Sequence, residues 1–250
     1  MKMKLSTIKS KRKALIIAVT VLLLLGVTFT ACAIYLMTGY DADLDAIEAF
    51  LPTDTVMIED SDGNIVFDTE SPVAGFIFYP SGKVDHRSYV PLMHSLSEKG
   101  ILCVLMEMPF DLAVFDVDAA DGIIEEYPGI TRWYIGGHSL GGSMAAQYLS
   151  DNYEDFDGLI LLGSYSAVDI SQLDIDVLSI YGSEDEVLNR GKYDDNLSNL
   201  PRDRKEYIIT GGCHAYFGMY GEQNGDGEPT ISAEEQIRET VAAVTELICR

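Results

Sequence analysis

Basic charge is scarce in this sequence. Its 250 residues hold 17 Lys and Arg against 40 Asp and Glu, and six of the cations (Lys2, Lys4, Lys9, Lys11, Arg12 and Lys13) crowd the first few positions. From residue 41 onward 17 minus 6, or 11, cations face all 40 acids. Such a surface repels phosphate backbones, so nucleic acid is not an expected partner. Cysteine is scarce as well: Cys32, Cys103, Cys213 and Cys249 form no disulfide framework, and spacing gives a Cys213–Cys249 bridge no support. There are only four histidines, with no H-E-x-x-H and no Cys/His ligand spacing, so no metal and no cofactor are expected. The run Asn224-Gly225-Asp226-Gly227-Glu228 lacks the full ligand pattern of a calcium loop and reads as a polar, Gly-rich connection. Internal repeats and low-complexity tracts are also missing, which excludes a solenoid.

What the sequence does have is one long uncharged run. Residues 14–37 carry no charge, and at about 1.5 Å of helical rise per residue they reach about 36 Å, enough to cross a bilayer core with some tilt. Basic residues precede the run and acidic ones follow it, which predicts a cytoplasmic N-terminus and a domain outside. A cleavable signal peptide would have a shorter apolar stretch, of about 7 to 15 residues. The stretch Thr28-Phe29-Thr30-Ala31-Cys32 loosely resembles a lipoprotein processing site, making lipidation at Cys32 the alternative form of anchoring. The expected organisation is a basic segment 1–13, a transmembrane anchor 14–37, a linker 38–54 and one domain over 55–250, since 47% hydrophobic content suits a single core of ordinary size.

Within that domain strand and helix patterns alternate. Strands are predicted at 55–59 and 64–68 around the turn dipeptide Asp62-Gly63, then at 74–79, 101–106, 133–136, 158–162, 177–181 and 206–210. Helices are predicted over 88–99, 111–126, 141–150 and 233–249, the last with Ile237, Val241, Val244 and Ile248 at helical spacing. Short runs rich in Ile, Leu and Val between helices indicate an α/β fold with a mostly parallel sheet covered on both faces.

One turn in this pattern carries chemistry. Gly137-His138-Ser139-Leu140-Gly141 fits G-x-S-x-G between a strand and a helix, a tight turn that needs glycines where backbones crowd and that presents the serine at the sheet edge. The helix following it aims its first N–H groups, that of Leu140 included, where an oxyanion would develop. A serine hydroxyl needs a base, and the base an orienting acid. The acid is expected after the penultimate strand, in Gly182-Ser183-Glu184-Asp185-Glu186; the Gly-x-x-Asp spacing favours Asp185, with Glu184 the alternative. The histidine is expected after the last strand, at His214. The second oxyanion donor is expected in the loop 79–85, at Gly82 with Lys83 next. Of the other histidines, His138 reads as a packing residue and His86 and His94 as surface residues.

The order Ser139, Asp185, His214 and the alternation of helices and strands resemble the α/β-hydrolase superfamily over residues 55–250. The stretches YPSGKVDHRSYVPL, MPFDLAVFD and GGCHAYFGMYGEQNGDGEPTIS resemble its compact, lidless branch related to dienelactone hydrolases. Cys213 stands where that likeness leads one to expect Asn, which leaves open how the histidine loop is held. Dienelactone hydrolases proper resemble this layout with a cysteine nucleophile, so Ser139 speaks against that particular activity.

The resemblance implies a serine hydrolase working through an acyl-enzyme. The short connection between the strands at 158–162 and 177–181 leaves no room for a lid domain, so an open site for small carboxylic esters is expected, with Phe110, Tyr165, Tyr216 and Phe217 as lining candidates. Two other readings fit the sequence: acyl transfer to an envelope hydroxyl acceptor, and a non-catalytic binding module on the same fold.

Overall fold

A computed structural model describes residues 2–51, 58–59 and 63–250. Two compact units divide the chain, Met1–Gly39 and Tyr40–Arg250. The first is a single helix, α1 (Lys2–Met37), whose span Leu15–Met37 is long and apolar enough to cross a membrane.

The second unit begins earlier than its sequence predicts. Residues 40–50 are not a linker: Tyr40 forms a parallel bridge with Val84, and α2 (Leu44–Phe50) is capped by Asp43, whose side chain accepts the Ala46 N–H, and buries Ile47. Strands β1 (Ile58–Glu59) and β2 (Ile65–Phe67) pair antiparallel. Thr55, Val56, Met57 and Asp62 of the expected hairpin lie outside the described residues.

There follow β3 (Ala74–Tyr79), α3 (Val90–Ser97), β4 (Ile101–Leu105), α4 (Ile123–Glu126), β5 (Trp133–His138), α5 (Leu140–Asp151) and β6 (Gly158–Leu162). The chain closes with β7 (Asp176–Gly182), α6 (Arg190–Asn196), β8 (Lys205–Ile209) and α7 (Ala233–Ile248). Among the described residues the sheet has eight strands in the order β1-β2-β4-β3-β5-β6-β7-β8. All pairings from β4 to β8 are parallel.

Alternate side chains of a strand point to opposite faces, and here each face has its own core. Phe76 and Phe78 of β3 and Ile101, Cys103 and Leu105 of β4 pack with Ile237, Val241 and Val244 of α7. Ile77, Tyr79, Leu102 and Val104 pack on the other face with Ala145, Ala146 and Leu149 of α5. The α7 stripe read from the sequence is therefore a core stripe, and a capping box of Ser232 and Glu235 starts the helix.

The helix predicted over 111–126 does not form. Phe110 and Asp111 have left-handed backbones, with φ of 57° and 54°. The segment then runs through a short 3-10 turn, Ala113–Phe115, and further turns closed by Ala119 N–H to Asp116 O and Asp121 N–H to Asp118 O before Gly122, at φ 82°, opens the short α4. Left-handed backbones at Phe110, Asp111 and Gly122 break the helical hydrogen-bond ladder, so the apolar spacing alone misled.

Candidate active site

The G-x-S-x-G turn joins β5 to α5, and Ser139 occupies it with φ 53° and ψ −120°. This conformation is strained for any residue with a β-carbon, and close backbone contacts hold it. A β-carbon on Gly137 would fall 2.4 Å from the Tyr79 carbonyl oxygen, and one on Gly141 would fall 2.1 Å from that of Pro80. Neither site tolerates a side chain, which fixes both glycines by sterics. The Ser139 N–H donates to the Leu162 carbonyl at 2.9 Å, and the Ser164 hydroxyl donates to the Ser139 carbonyl at 2.7 Å, so the turn is tied to the end of β6.

At the end of β7, Asp185 is the buried member of the acidic trio. Its Oδ1 accepts the N–H groups of Val187 at 3.0 Å and Leu188 at 2.8 Å. Its Oδ2 accepts Nδ1–H of His214 at 2.8 Å, with both side chains almost wholly shielded from solvent. Glu184 instead receives the Ser183 hydroxyl at 2.7 Å. The other ring nitrogen of His214, Nε2, is buried and has no hydrogen-bond partner. Ser139 and His214 line one cavity of about 250 Å³, together with Leu140, Gly163, Tyr165 and Leu188. Buried polar atoms are rarely left unpaired, and this one belongs to a side chain that shares its cavity with Ser139.

Gly163, directly after β6, makes room for the hydrogen-bonded Asp185 and His214. A β-carbon there would sit 2.9 Å from Nδ1 of His214 and 3.1 Å from Oδ2 of Asp185, and its φ of +50° further favours glycine. Nothing local in the sequence singles it out except a glycine at a strand end.

The histidine loop is held from two sides. Gln236 of α7 accepts the Cys213 N–H at 3.0 Å and donates to the Cys213 carbonyl at 2.8 Å. Asp226 accepts the Ala215 N–H at 2.8 Å through one oxygen and the Glu186 N–H at 3.4 Å through the other, tying the loops of His214 and Asp185 together. The Gly-rich stretch 224–228 thus supplies a brace. Burial and the Asp226 carboxylate push the Cys213 thiol up to about 12, so it stays protonated.

In the loop 79–85, expected to hold a second oxyanion donor, most N–H groups are already engaged. Pro80 has no N–H, the Ser81 N–H donates to the Tyr89 hydroxyl at 3.3 Å, and that of Lys83 donates to the Asp111 carbonyl at 2.6 Å. Gly82 remains, and its α-carbon lies against Leu140: a β-carbon would meet Leu140 Cδ2 at 2.9 Å.

These positions can be set beside known proteins. The sequence profile of the alpha/beta hydrolase family matches residues 75–238, more than half of the chain. The chain belongs to the alpha/beta hydrolase family. Among curated proteins none matches the sequence. Three similar solved structures all superpose with a TM-score of 0.56. A dienelactone hydrolase from Anabaena variabilis is 14% identical, with 77% of this chain and 96% of that one covered. Est1E from Butyrivibrio proteoclasticus is also 14% identical, over 78% and 97%. A monoacylglycerol lipase from Paleococcus ferrophilus is 13% identical, over 76% and 99%. At such identities the likeness concerns the fold.

As in the sequence-based expectation for an α/β hydrolase without a lid, β6 and β7 are joined by a short connection. Of the expected lining aromatics only Tyr165 borders the cavity. Phe217 is buried with its ring 5.2 Å from that of His138, Tyr216 borders a different hollow, and Phe110 is exposed. His138 is packed as expected, with its ring 4.4 Å from that of His214; the Tyr89 hydroxyl lies 2.8 Å from its Nδ1. Burial, then the neighbouring His214, holds the His138 imidazole well below its ordinary pKa, so it stays neutral. His94, expected at the surface, is a buried residue of α3, and His86 is only partly exposed.

Proposed function

We propose that this alpha/beta hydrolase is a membrane-anchored serine hydrolase that cleaves small carboxylic esters through an acyl-enzyme. The buried Asp185–His214 pair, 2.8 Å apart with Nε2 unpartnered beside a strained Ser139, supports the reading most. In this scheme His214 Nε2 takes the proton of Ser139 Oγ as that oxygen attacks the ester carbonyl. Asp185 fixes the imidazole tautomer and stabilises the imidazolium that forms. The N–H groups of Leu140 and Gly82 receive the developing oxyanion. Collapse breaks the ester bond, and the alcohol departs with the proton from His214. Water, deprotonated by the same nitrogen, then attacks the acyl-serine and releases the acid. A cavity of about 250 Å³ fits a compact group on one side of the ester. No step calls for a metal or cofactor.

The anchoring part of this reading is supported by α1, with its apolar span Leu15–Met37. Six cations before that span and an acidic domain after it orient the N-terminus to the cytoplasm and the hydrolase unit outside.

Fluorophosphonate labelling tests the nucleophile. The wild-type chain should react and Ser139→Ala should not, while a panel of esters of graded acyl length reads the preference. Equal labelling of both chains would remove Ser139 from the role, and no labelling of either would favour a binding module.

A further inference from the structure

His138 closes β5 one residue before Ser139, and its side chain is wholly buried. Three rings surround it: that of His214 at 4.4 Å between centroids, that of Phe217 at 5.2 Å and that of Tyr89 at 5.9 Å. An imidazole in such a place costs more than an apolar side chain, because each ring nitrogen must find a partner or go without.

One nitrogen has its partner. The Tyr89 hydroxyl lies 2.8 Å from Nδ1 of His138 and accepts the Ser81 N–H at 3.3 Å. Burial raises the pKa of the Tyr89 hydroxyl, which therefore keeps its proton, and burial also keeps the His138 imidazole neutral. A phenol that already accepts one N–H satisfies its own O–H by donating it to Nδ1. The single ring proton of His138 then sits on Nε2. That atom is buried without a hydrogen-bond partner, and the His214 main chain is close enough to favour a proton on the ring. One side of the imidazole is thus tied to the loop 79–85, and the other rests on His214.

The charge of the ring matters as much as its contacts. In the proposed reaction His214 becomes positive while Ser139 attacks. A second positive ring at 4.4 Å would oppose that charge, whereas a neutral aromatic face attracts it. The titratable groups that meet this pair of rings are the Tyr89 hydroxyl at His138 and the Asp185 carboxylate at His214.

We infer that His138 is a positioning residue for the proposed triad: Tyr89 fixes its ring as the Nε2–H tautomer, and the ring carries that restraint from the loop 79–85 to His214, holding the base in place for Ser139. The inference rests on the serine-hydrolase reading above and deepens it. Its side chain touches no reacting atom, so it acts through His214 alone.

The test uses the full chain in detergent micelles. Nitrogen NMR of protein carrying labelled histidine reads the tautomer, with the His138 ring assigned by its contacts with the rings of Tyr89 and Phe217. At neutral pH Nε2 should carry the proton and Nδ1 none, a reading that needs no variant. Two amides then divide the roles of the ring: His138→Asn offers an acceptor at the reach of Nδ1, and His138→Gln offers a donor at the reach of Nε2. Fluorophosphonate labelling of Ser139 is timed under conditions where both variants are folded, and their denaturant midpoints are measured alongside. His138→Asn should label about tenfold more slowly than wild type and His138→Gln within about threefold of it, the difference expected of one hydrogen bond. A proton on Nδ1, an imidazolium at neutral pH, or labelling rates that follow the midpoints and ignore the donor would each overturn the inference. A wild-type chain that does not label at all marks failure of the hydrolase reading instead, and the inference falls with it.

Discussion

Gln236 grips the backbone of Cys213 with both ends of its amide, Oε1 at 3.0 Å from the nitrogen and Nε2 at 2.8 Å from the carbonyl oxygen. The residue after Cys213 is His214, so the base of the proposed triad hangs from a helix that contributes no reacting atom. Replacement by leucine leaves a buried donor and a buried acceptor unpaired, at about 1 to 3 kcal/mol each. Gln236→Leu should lower the denaturant midpoint accordingly. It should also slow fluorophosphonate labelling of Ser139 about tenfold or more under conditions where the variant remains folded. Unchanged labelling would show that the loop holds its shape without the clamp.

Gly163→Ala should impair chemistry more than folding. The added methyl would stand 2.9 Å from Nδ1 of His214, forcing the imidazole or the strand end to shift. A displacement of about 1 Å can cost about a hundredfold in rate, so turnover should drop by about that factor. The cost in stability should be about 1 to 2 kcal/mol, for a left-handed alanine. Calorimetry and ester kinetics on the same preparation separate the two effects.

Asp185→Asn keeps an oxygen available for the Val187 and Leu188 N–H groups but turns an amide N–H toward Nδ1 of His214. The ring must then take the wrong tautomer. Turnover should fall about 10⁴-fold while the thermal midpoint moves little. Asp185→Ala should lose activity and stability together, since it abandons both backbone donors. Comparable activity in Asp185→Asn and wild type would shift the orienting role to another carboxylate.

Burial makes His138 a pH-dependent element of stability. In the unfolded chain its imidazole titrates near the ordinary 6.5, and in the fold it titrates well below that value. Between the two values the unfolded chain holds the extra proton, so stability rises with pH over that window. The contribution is complete above about pH 6.5 and is lost as pH falls below it, by at most about 1.4 kcal/mol per pH unit. Urea titrations between pH 7.5 and pH 5 should show this slope, flattened by about one proton in His138→Asn. Parallel slopes for the two proteins would contradict the assignment.

Features fixed by short-range sterics were legible before any coordinates. The elbow around Ser139 needs its glycines within a few residues, and His214 follows the last strand wherever that strand ends. The Gly-x-x-Asp spacing alone favours Asp185, and its burial sets it apart from Glu184 and Glu186, which carry the same charge. The parts that escaped reading have partners far away in the chain. Gln236 reads as one polar residue beside the Ile237 and Val241 stripe, and its target lies 23 residues earlier. Asp226 reads as one acid among many. Tyr89 reads as part of a helix start, although its hydroxyl meets both Ser81 and His138. The helix expected over 111–126 failed for a different reason, because apolar spacing persists even where left-handed residues at Phe110, Asp111 and Gly122 deny the backbone its ladder.

The bridge from Tyr40 to Val84 also dictates where the protein can be trimmed. Cutting away the first 40 residues to shed the apolar helix would amputate the backbone partner of Lys83 and Asp85. A shortened version that begins at Thr38 keeps that seam closed, whereas one that begins at Asp41 leaves the carbonyl of Lys83 and the N–H of Asp85 without their mate. Comparing the two lengths would reveal how far the seam at residues 38–40 contributes to turnover.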